Sequence, residues 1–157
     1  MQIIPLVVSV LWVDFIVIII SLYGVLGTTI HEWYAKFGPV AVLSDCLIII
    51  LGIMLANFLY PGATTLELIL LALIIQLIHD VLFYILVIQK VPEGQNSIID
   101  LFKRYSSENG YRILIADSLM VIAAILGHDF LEMYNTEVTA FLGFLGTYAL
   151  SYIIYTK

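Results

Sequence analysis

The chain has 157 residues, of which 62% are hydrophobic and 11% are charged, and its formal net charge is −6. A soluble domain has roughly 25% charged and about 45–50% apolar residues, so this composition is typical of a polytopic membrane protein. The sequence has no basic patch with interleaved aromatic residues, and we therefore expect no contact with nucleic acid. The single cysteine, Cys46, excludes a disulfide bond within this sequence.

Five apolar runs are long enough to cross about 30 Å of hydrocarbon, which takes roughly 20 helical residues. Because a backbone in lipid must satisfy its own hydrogen bonds, each run is predicted to be an α-helix. The first run lacks a basic leader and is longer than the core of a secretory signal, so we interpret it as a retained span. We predict one all-α domain over residues 1–157, a five-helix membrane bundle. The predicted spans are residues 3–26, 39–60, 66–88, 111–127 and 138–155.

The basic residues indicate the orientation of this bundle. Loops over residues 28–38 and 89–110 are predicted on one side of the membrane, and loops over 62–65 and 128–137 on the other. By the positive-inside rule the basic side is cytoplasmic, so the N-terminus is predicted to be non-cytoplasmic and the C-terminus cytoplasmic. All the basic residues fall on the first side: Lys36, Lys90, Lys103, Arg104, Arg112 and Lys157. Trp33 and Tyr34 are expected at headgroup level on that side.

The connector between the third and fourth spans is predicted to contain a short amphipathic helix over residues 96–109, capped by Asn96 or Ser97. Two placements remain open. The helix lies in the headgroup plane with its rings inward and its basic groups toward anionic lipid, or it packs on the bundle as an ordinary loop helix. In the first placement the residues that contact lipid or a partner are Lys90, Phe102, Lys103, Arg104, Tyr105 and Arg112.

The fifth run carries small residues at every fourth position: Thr139, Gly143, Thr147 and Ser151. Membrane helices pack closely where small residues let their backbones approach, so this ridge predicts a seam. We expect the partner to be another helix of the same chain, and a subunit interface is the less favoured alternative.

Four aspartates, Asp14, Asp45, Asp80 and Asp117, each lie inside a different apolar run. A rise of 1.5 Å per residue from the cytoplasmic ends places the last three about 10–12 Å deep, in one layer beside His79, and Asp14 about 18 Å deep. An acid at the centre of a span costs about 2.5–3.5 kcal/mol, so these side chains are expected to turn inward. With no buried lysine or arginine as partner, they must be protonated or share protons.

Three interpretations of this polar layer compete. The acids act as polar glue between helices, they mark a path for protons or cations, or they bind metal in a membrane enzyme. The enzyme is least favoured because no zinc-ligand or nucleophile–base spacing is present. We therefore predict no catalytic residue, no metal and no cofactor. His31-Glu32 is expected at the membrane interface, and His128-Asp129 in a solvated loop on the non-cytoplasmic side.

One segment, residues 78–122, carries the runs HDVLFY, VPEGQN, IIDLFKRYSSENG and ILIADSLM. It resembles small multi-pass membrane proteins of nucleocytoplasmic large DNA viruses, the giant and algal viruses. The resemblance implies a place in the virion inner membrane beneath an icosahedral capsid, with minor capsid or other membrane proteins as partners. It implies no enzymatic activity.

Two functional hypotheses follow. The leading one is a structural component that links the virion's internal membrane to the capsid or to neighbouring membrane proteins. The alternative is a small proton or cation channel or transporter that uses the intramembrane aspartates. Both allow a homo-oligomer, since five short helices could scarcely enclose a wide pore alone.

Overall fold

The computed structural model describes residues 1–25 and 27–156, which contain seven α-helices and no β-strand. The helices are α1 (Ile3–Leu22), α2 (Thr28–Phe37), α3 (Pro39–Leu59), α4 (Thr65–Phe83), α5 (Ser97–Asn109), α6 (Arg112–Leu131) and α7 (Thr136–Ile153). A π-helical turn over Tyr84–Ile88 continues α4. The predicted all-α class is confirmed, and four helices are long and apolar enough to span a membrane: α1, α3, α4 with its π turn, and α6.

The fifth predicted span corresponds to α7, which has 18 residues and carries Glu137 in its first turn. It is not among the four apolar helices, so a fifth crossing remains a prediction. Leu26, at the end of the first predicted span, and Lys157, one of the basic residues, lie outside the described residues.

Two segments predicted to be loops are helical. Within the predicted loop 28–38, residues Thr28–Phe37 form α2, which has ten residues and no side-chain cap from the residue before it, Gly27. Such a short helix is marginal in isolation, so contacts with other elements must stabilise it. The second difference is at α6, which continues past Gly127 to Leu131 and brings His128 into the helix, where it is buried. A buried His128 replaces the solvated loop expected there.

Four helices form a ring in which α1 packs on α3 and α6, and α4 packs on both α3 and α6. At one end of this ring α1 and α4 finish, while α3 and α6 begin. We call α2 and α5 the end cap, because they pack on each other at this end and reach the ring through α1, α3, α6 and the π turn. The end cap lies on the side predicted to be cytoplasmic.

The seventh helix packs outside the ring, against α1. Thr139 is buried, and a Cβ atom added at Gly143 would meet Val8 at 2.9 Å. One turn further, Gly146 lies against the ring of Trp12, whose Nε1 donates to the carbonyl oxygen of Leu142 at 3.2 Å. Small residues thus allow the two backbones to approach. The remaining two members of the predicted ridge, Thr147 and Ser151, are exposed and donate to carbonyl oxygens of their own helix.

Two carboxylates join the helices of the end cap. Arg104 donates from both terminal nitrogens to Glu32, each at 2.7 Å, in a bidentate pair. Glu108 accepts hydrogen bonds from the backbone nitrogens of Thr28 (2.8 Å) and Thr29 (3.0 Å) and from both threonine hydroxyls. These hydrogen bonds, the one from the Thr29 hydroxyl above all, lower the pKa of Glu108 from 4.5 to about 2. The first turn of α2 is therefore capped by a side chain of α5.

The residues expected to face lipid or a partner take several positions in this region. Phe102 packs on Trp33 and on Phe83, with ring centroids 4.9 Å and 6.2 Å apart, and the nitrogen of Lys103 donates to the carbonyl oxygen of Val91 at 2.6 Å. Tyr105 is half-buried, and Lys90 and Arg112 are exposed. Asn96 caps α5 by accepting from the nitrogens of Ile98 and Ile99. The interfacial position of α5 remains a prediction.

Candidate functional site

A cavity of about 920 Å³ lies inside the ring and is closed at one end by the end cap. Ligand pockets in proteins measure roughly 300–1,000 Å³, so this volume would hold a small molecule. Asp45 of α3, Asp80 of α4 and Asp117 of α6 all line the cavity, and no lysine or arginine does so within the described part of the chain. Most of the lining is apolar, and its other polar members are Tyr34, Ser44, Gln76, His79, Tyr84, Tyr105, Ser106 and Tyr111. We call it the acid-lined cavity.

The fourth aspartate, Asp14 of α1, is 0% exposed and lies behind the cavity wall. The hydroxyl of Tyr34 is 2.9 Å from Asp14 Oδ1 and 2.9 Å from Asp45 Oδ2. The indole nitrogen of Trp33 also donates to Asp45 Oδ2, at 2.9 Å. Tyr34 of α2 therefore connects an acid of α1 with an acid of α3, and Trp33 is a second partner of the acid on α3. This part of the network joins helices.

A count of protons constrains this chain of hydrogen bonds. Burial, with the nearby carboxyl groups of Asp45 and Asp14, raises the pKa of Tyr34 well above its usual value of 10, so the phenol keeps its hydrogen. One phenol hydrogen can be donated to only one of the two carboxyl groups. The other contact is a hydrogen bond only if its carboxyl group is protonated and donates to the phenol oxygen. Because Asp45 Oδ2 also accepts from Trp33, and a second donor favours an ionised oxygen, we infer that the protonated member is Asp14.

The two remaining aspartates have different surroundings. Gln76 donates to Asp80 Oδ1 at 2.8 Å, and Nδ1 of His79 lies 3.1 Å from the same oxygen, so both partners belong to α4 itself. Asp80 Oδ2 is buried and has no hydrogen-bond partner. Asp117 is half-buried at the cavity, and no hydrogen bond from the described residues reaches its carboxyl group. Neither acid links one helix to another.

The π-helical turn lies one turn beyond Asp80 on α4. Its defining hydrogen bond runs from the nitrogen of Gln89 to the carbonyl oxygen of Tyr84, at 3.0 Å. Tyr84, Ile85 and Ile88 of this turn line the acid-lined cavity. Turns of this kind are rare and are found frequently at functional sites. Here the turn changes the direction in which α4 presents its side chains to the cavity and to α5.

The residues predicted as a polar layer therefore separate into two groups. Asp45, Asp80 and Asp117 meet at one cavity, and Asp14 is one hydrogen-bonded residue further on, through Tyr34. His79 lines the cavity, stacks on Phe83 and is 40% exposed. Sequence reasoning missed the participation of Trp33 and Tyr34, which were expected at headgroup level and are buried at 2% and 3% exposure.

Four apolar helices of spanning length around an interior with acidic side chains indicate a helical membrane protein. Comparison of the chain with models of protein families, with curated proteins and with solved structures finds no match.

Proposed function

We propose that this protein is a multi-pass membrane protein whose acid-lined cavity takes up protons or a small cation and passes them across the membrane. In this proposal α7 forms a fifth span, the end cap lies on the cytoplasmic side, and α5 lies at the membrane interface. The observation that carries the proposal is that Asp80 and Asp117 face one cavity without a partner from another helix.

The physical reason is charge balance. An ionised carboxylate in an apolar interior costs several kcal/mol unless it is paired. Within the described residues, no lysine or arginine at the cavity supplies that pairing. Positive charge must then come from a proton or from a bound cation, and either is exchangeable if the cavity opens to water. The chain from Asp45 through Tyr34 to Asp14 extends this polar region behind the cavity wall.

Flux measurements test the proposal. The purified protein is reconstituted into liposomes that contain a pH-sensitive dye, and proton entry is followed under an imposed potential. The double variant Asp80→Asn/Asp117→Asn keeps side-chain size but removes both charges, and its flux is expected to fall to that of protein-free liposomes. Asp100→Asn, an acid of α5 that accepts from the nitrogen of Gly94, is the matched control and should keep wild-type flux.

The outcome against this proposal is also defined. Wild-type protein that yields neither proton flux nor flux of sodium or potassium above protein-free liposomes would exclude transport. Equal flux in wild type and the double variant would assign the transport to another part of the molecule.

The sequence resemblance favours a second candidate function, a structural component of a viral internal membrane. The resembling residues 78–122 form one continuous part of the fold: the end of α4, the π turn, α5 and the start of α6. We propose that the exposed side of this region, including Lys90 and Arg112, binds a capsid protein, a neighbouring membrane protein or a second copy of the chain.

Charge reversal at both positions should then abolish incorporation into virions, while Asp80→Asn/Asp117→Asn should leave it intact. Normal incorporation of the charge-reversed protein would contradict this second function.

A further inference from the structure

A second cluster of titratable side chains lies at the end of α6 that is remote from the end cap. Nδ1 of His128 is 3.0 Å from Asp129 Oδ1, and Nε2 of the same ring is 3.1 Å from Glu132 Oε1. His128 and Glu132 are four residues apart, so they share one face of the helix. Among the residues that the structure describes, these are the three histidine, cysteine or acidic side chains whose potential ligand atoms all lie within 4.8 Å of one another.

The second imidazole nitrogen of this cluster has an unusual environment. The His128 side chain is 5% exposed, and its Nε2 atom is buried without a hydrogen-bond partner, because the nearby carboxylate oxygen is not aligned for one. When the ring hydrogen is on Nδ1, beside Asp129, Nε2 presents a bare lone pair to the carboxylate oxygen, and a bound cation relieves the repulsion between them. Ligand atoms about 2.0–2.2 Å from one zinc ion and roughly 100° apart are separated by about 3.2 Å. The observed separation fits two ligands of one ion.

Neighbouring elements orient both carboxylates. The hydroxyl of Thr65, the first residue of α4, donates to Asp129 Oδ2 at 2.6 Å. The backbone nitrogen of Gln2, just before α1, donates to Glu132 Oε1 at 3.0 Å. Hydrogen bonds of this kind fix the orientation of metal-binding carboxylates and are typical of the surroundings of metal ligands. The three side chains are thus held in place by the beginnings of two other helices.

We propose that Nε2 of His128 and the carboxylate of Glu132 bind a divalent transition-metal ion such as Zn²⁺, while Asp129, at the opposite nitrogen Nδ1, holds the imidazole in place. Two protein ligands leave the remaining coordination positions to water. The ion would join the end of α6 to the beginnings of α1 and α4. This site is separate from the acid-lined cavity and independent of the proposed transport.

Equilibrium dialysis tests the site. The full chain is purified with an affinity tag that contains no histidine, treated with a chelator and dialysed against Zn²⁺, and bound zinc is measured by elemental analysis. We expect one Zn²⁺ per wild-type chain, loss of that ion in Glu132→Gln, and binding weakened about 10–100-fold in Asp129→Asn, which alters the partner of Nδ1. Both acids are partly exposed, at 40% and 33%, so these variants should fold even if a substitution at His128 does not. Zn²⁺ should also raise the thermal midpoint of the wild type but not of Glu132→Gln.

Two further variants sharpen the assignment. His31→Asn is the matched control, because His31 lies in α2 of the end cap, next to Glu32, and the residue four positions on is Ala35 instead of an acid. It should bind zinc as the wild type does. Thr65→Val removes the hydrogen bond to Asp129 and should weaken binding less than Asp129→Asn does. Absence of stoichiometric zinc in the wild type, or equal binding by Glu132→Gln, would overturn the proposal.

Discussion

The cap that α5 provides for α2 gives a quantitative prediction. Glu108→Ala removes the acceptor of four hydrogen bonds from Thr28 and Thr29, and Gly27 has no side chain to replace it. Loss of a helix cap costs about 0.5–2 kcal/mol. The lowered pKa of Glu108 corresponds to a larger effect, but the group is exposed, and we expect about 1 kcal/mol after screening by solvent.

Hydrogen–deuterium exchange measures this effect locally. A loss of about 1 kcal/mol makes opening of α2 about fivefold more frequent, so amides in Thr28–Phe37 should exchange about fivefold faster. Peptides from α7, which packs mainly on α1, should be unchanged. Glu108→Gln keeps one acceptor oxygen and should show a smaller increase. The control is Glu93→Ala, which removes an exposed acid in the turn before α5.

The same contact predicts a dependence on pH. Because the folded-state pKa of Glu108 lies below its ordinary value of 4.5, its stabilisation is complete above that value and is lost as the pH falls toward about 2. The difference in α2 stability between wild type and Glu108→Ala should therefore shrink over this interval. Equal exchange of α2 in the two proteins at neutral pH would refute the cap, as would acceleration of α7 to the same extent.

Two further contacts give predictions, one of a small loss of stability and one of a large loss. Arg104→Lys replaces a bidentate pair with a single contact to Glu32, and because the pair is exposed, amide exchange in α2 should accelerate less than it does in Glu108→Ala. Gly127→Ala places a methyl group on the buried hydroxyl of Ser9, so the thermal midpoint should fall by the equivalent of about 1–3 kcal/mol. Gly52→Ala is its control, since the nearest atom would be 3.9 Å from the new methyl group; an equal midpoint in both variants would contradict close packing of α1 on α6.

The apolar spans were predictable because hydropathy is a local property of the sequence. Four predicted spans correspond to helices α1, α3, α4 and α6, each of sufficient length and apolarity. The helix α2 was not predictable in the same way. Its cap, Glu108, is about 80 residues away in the chain, and no capping residue precedes Thr28. A helix that depends on a distant carboxylate gives no start signal of its own.

The aspartates were conspicuous in the sequence because an acid in an apolar run is costly. Their partners were not, since the crossing of α1, α2 and α3 determines which aromatic side chain reaches Asp14 and Asp45. The π turn has no proline or glycine that would indicate it. The spacing of His128 and Glu132, by contrast, is visible in the sequence. Zinc motifs with paired histidines do not include it, because it places one histidine and one acid on the same helical face.

The position of Tyr34 explains why aspartates in one layer need not share one role. Its single hydroxyl hydrogen lies between two carboxyl groups, which fixes one proton on the pair and joins α1 to α3 through α2. An aspartate held in this way cannot be removed without losing a contact between helices. Asp80 and Asp117 carry no such cost, because no other helix depends on them. Removal of the carboxyl group should therefore destabilise the bundle at Asp14 and leave it folded at Asp117, and thermal unfolding of Asp14→Ala beside Asp117→Ala distinguishes the acids that join helices from those available to exchange positive charge.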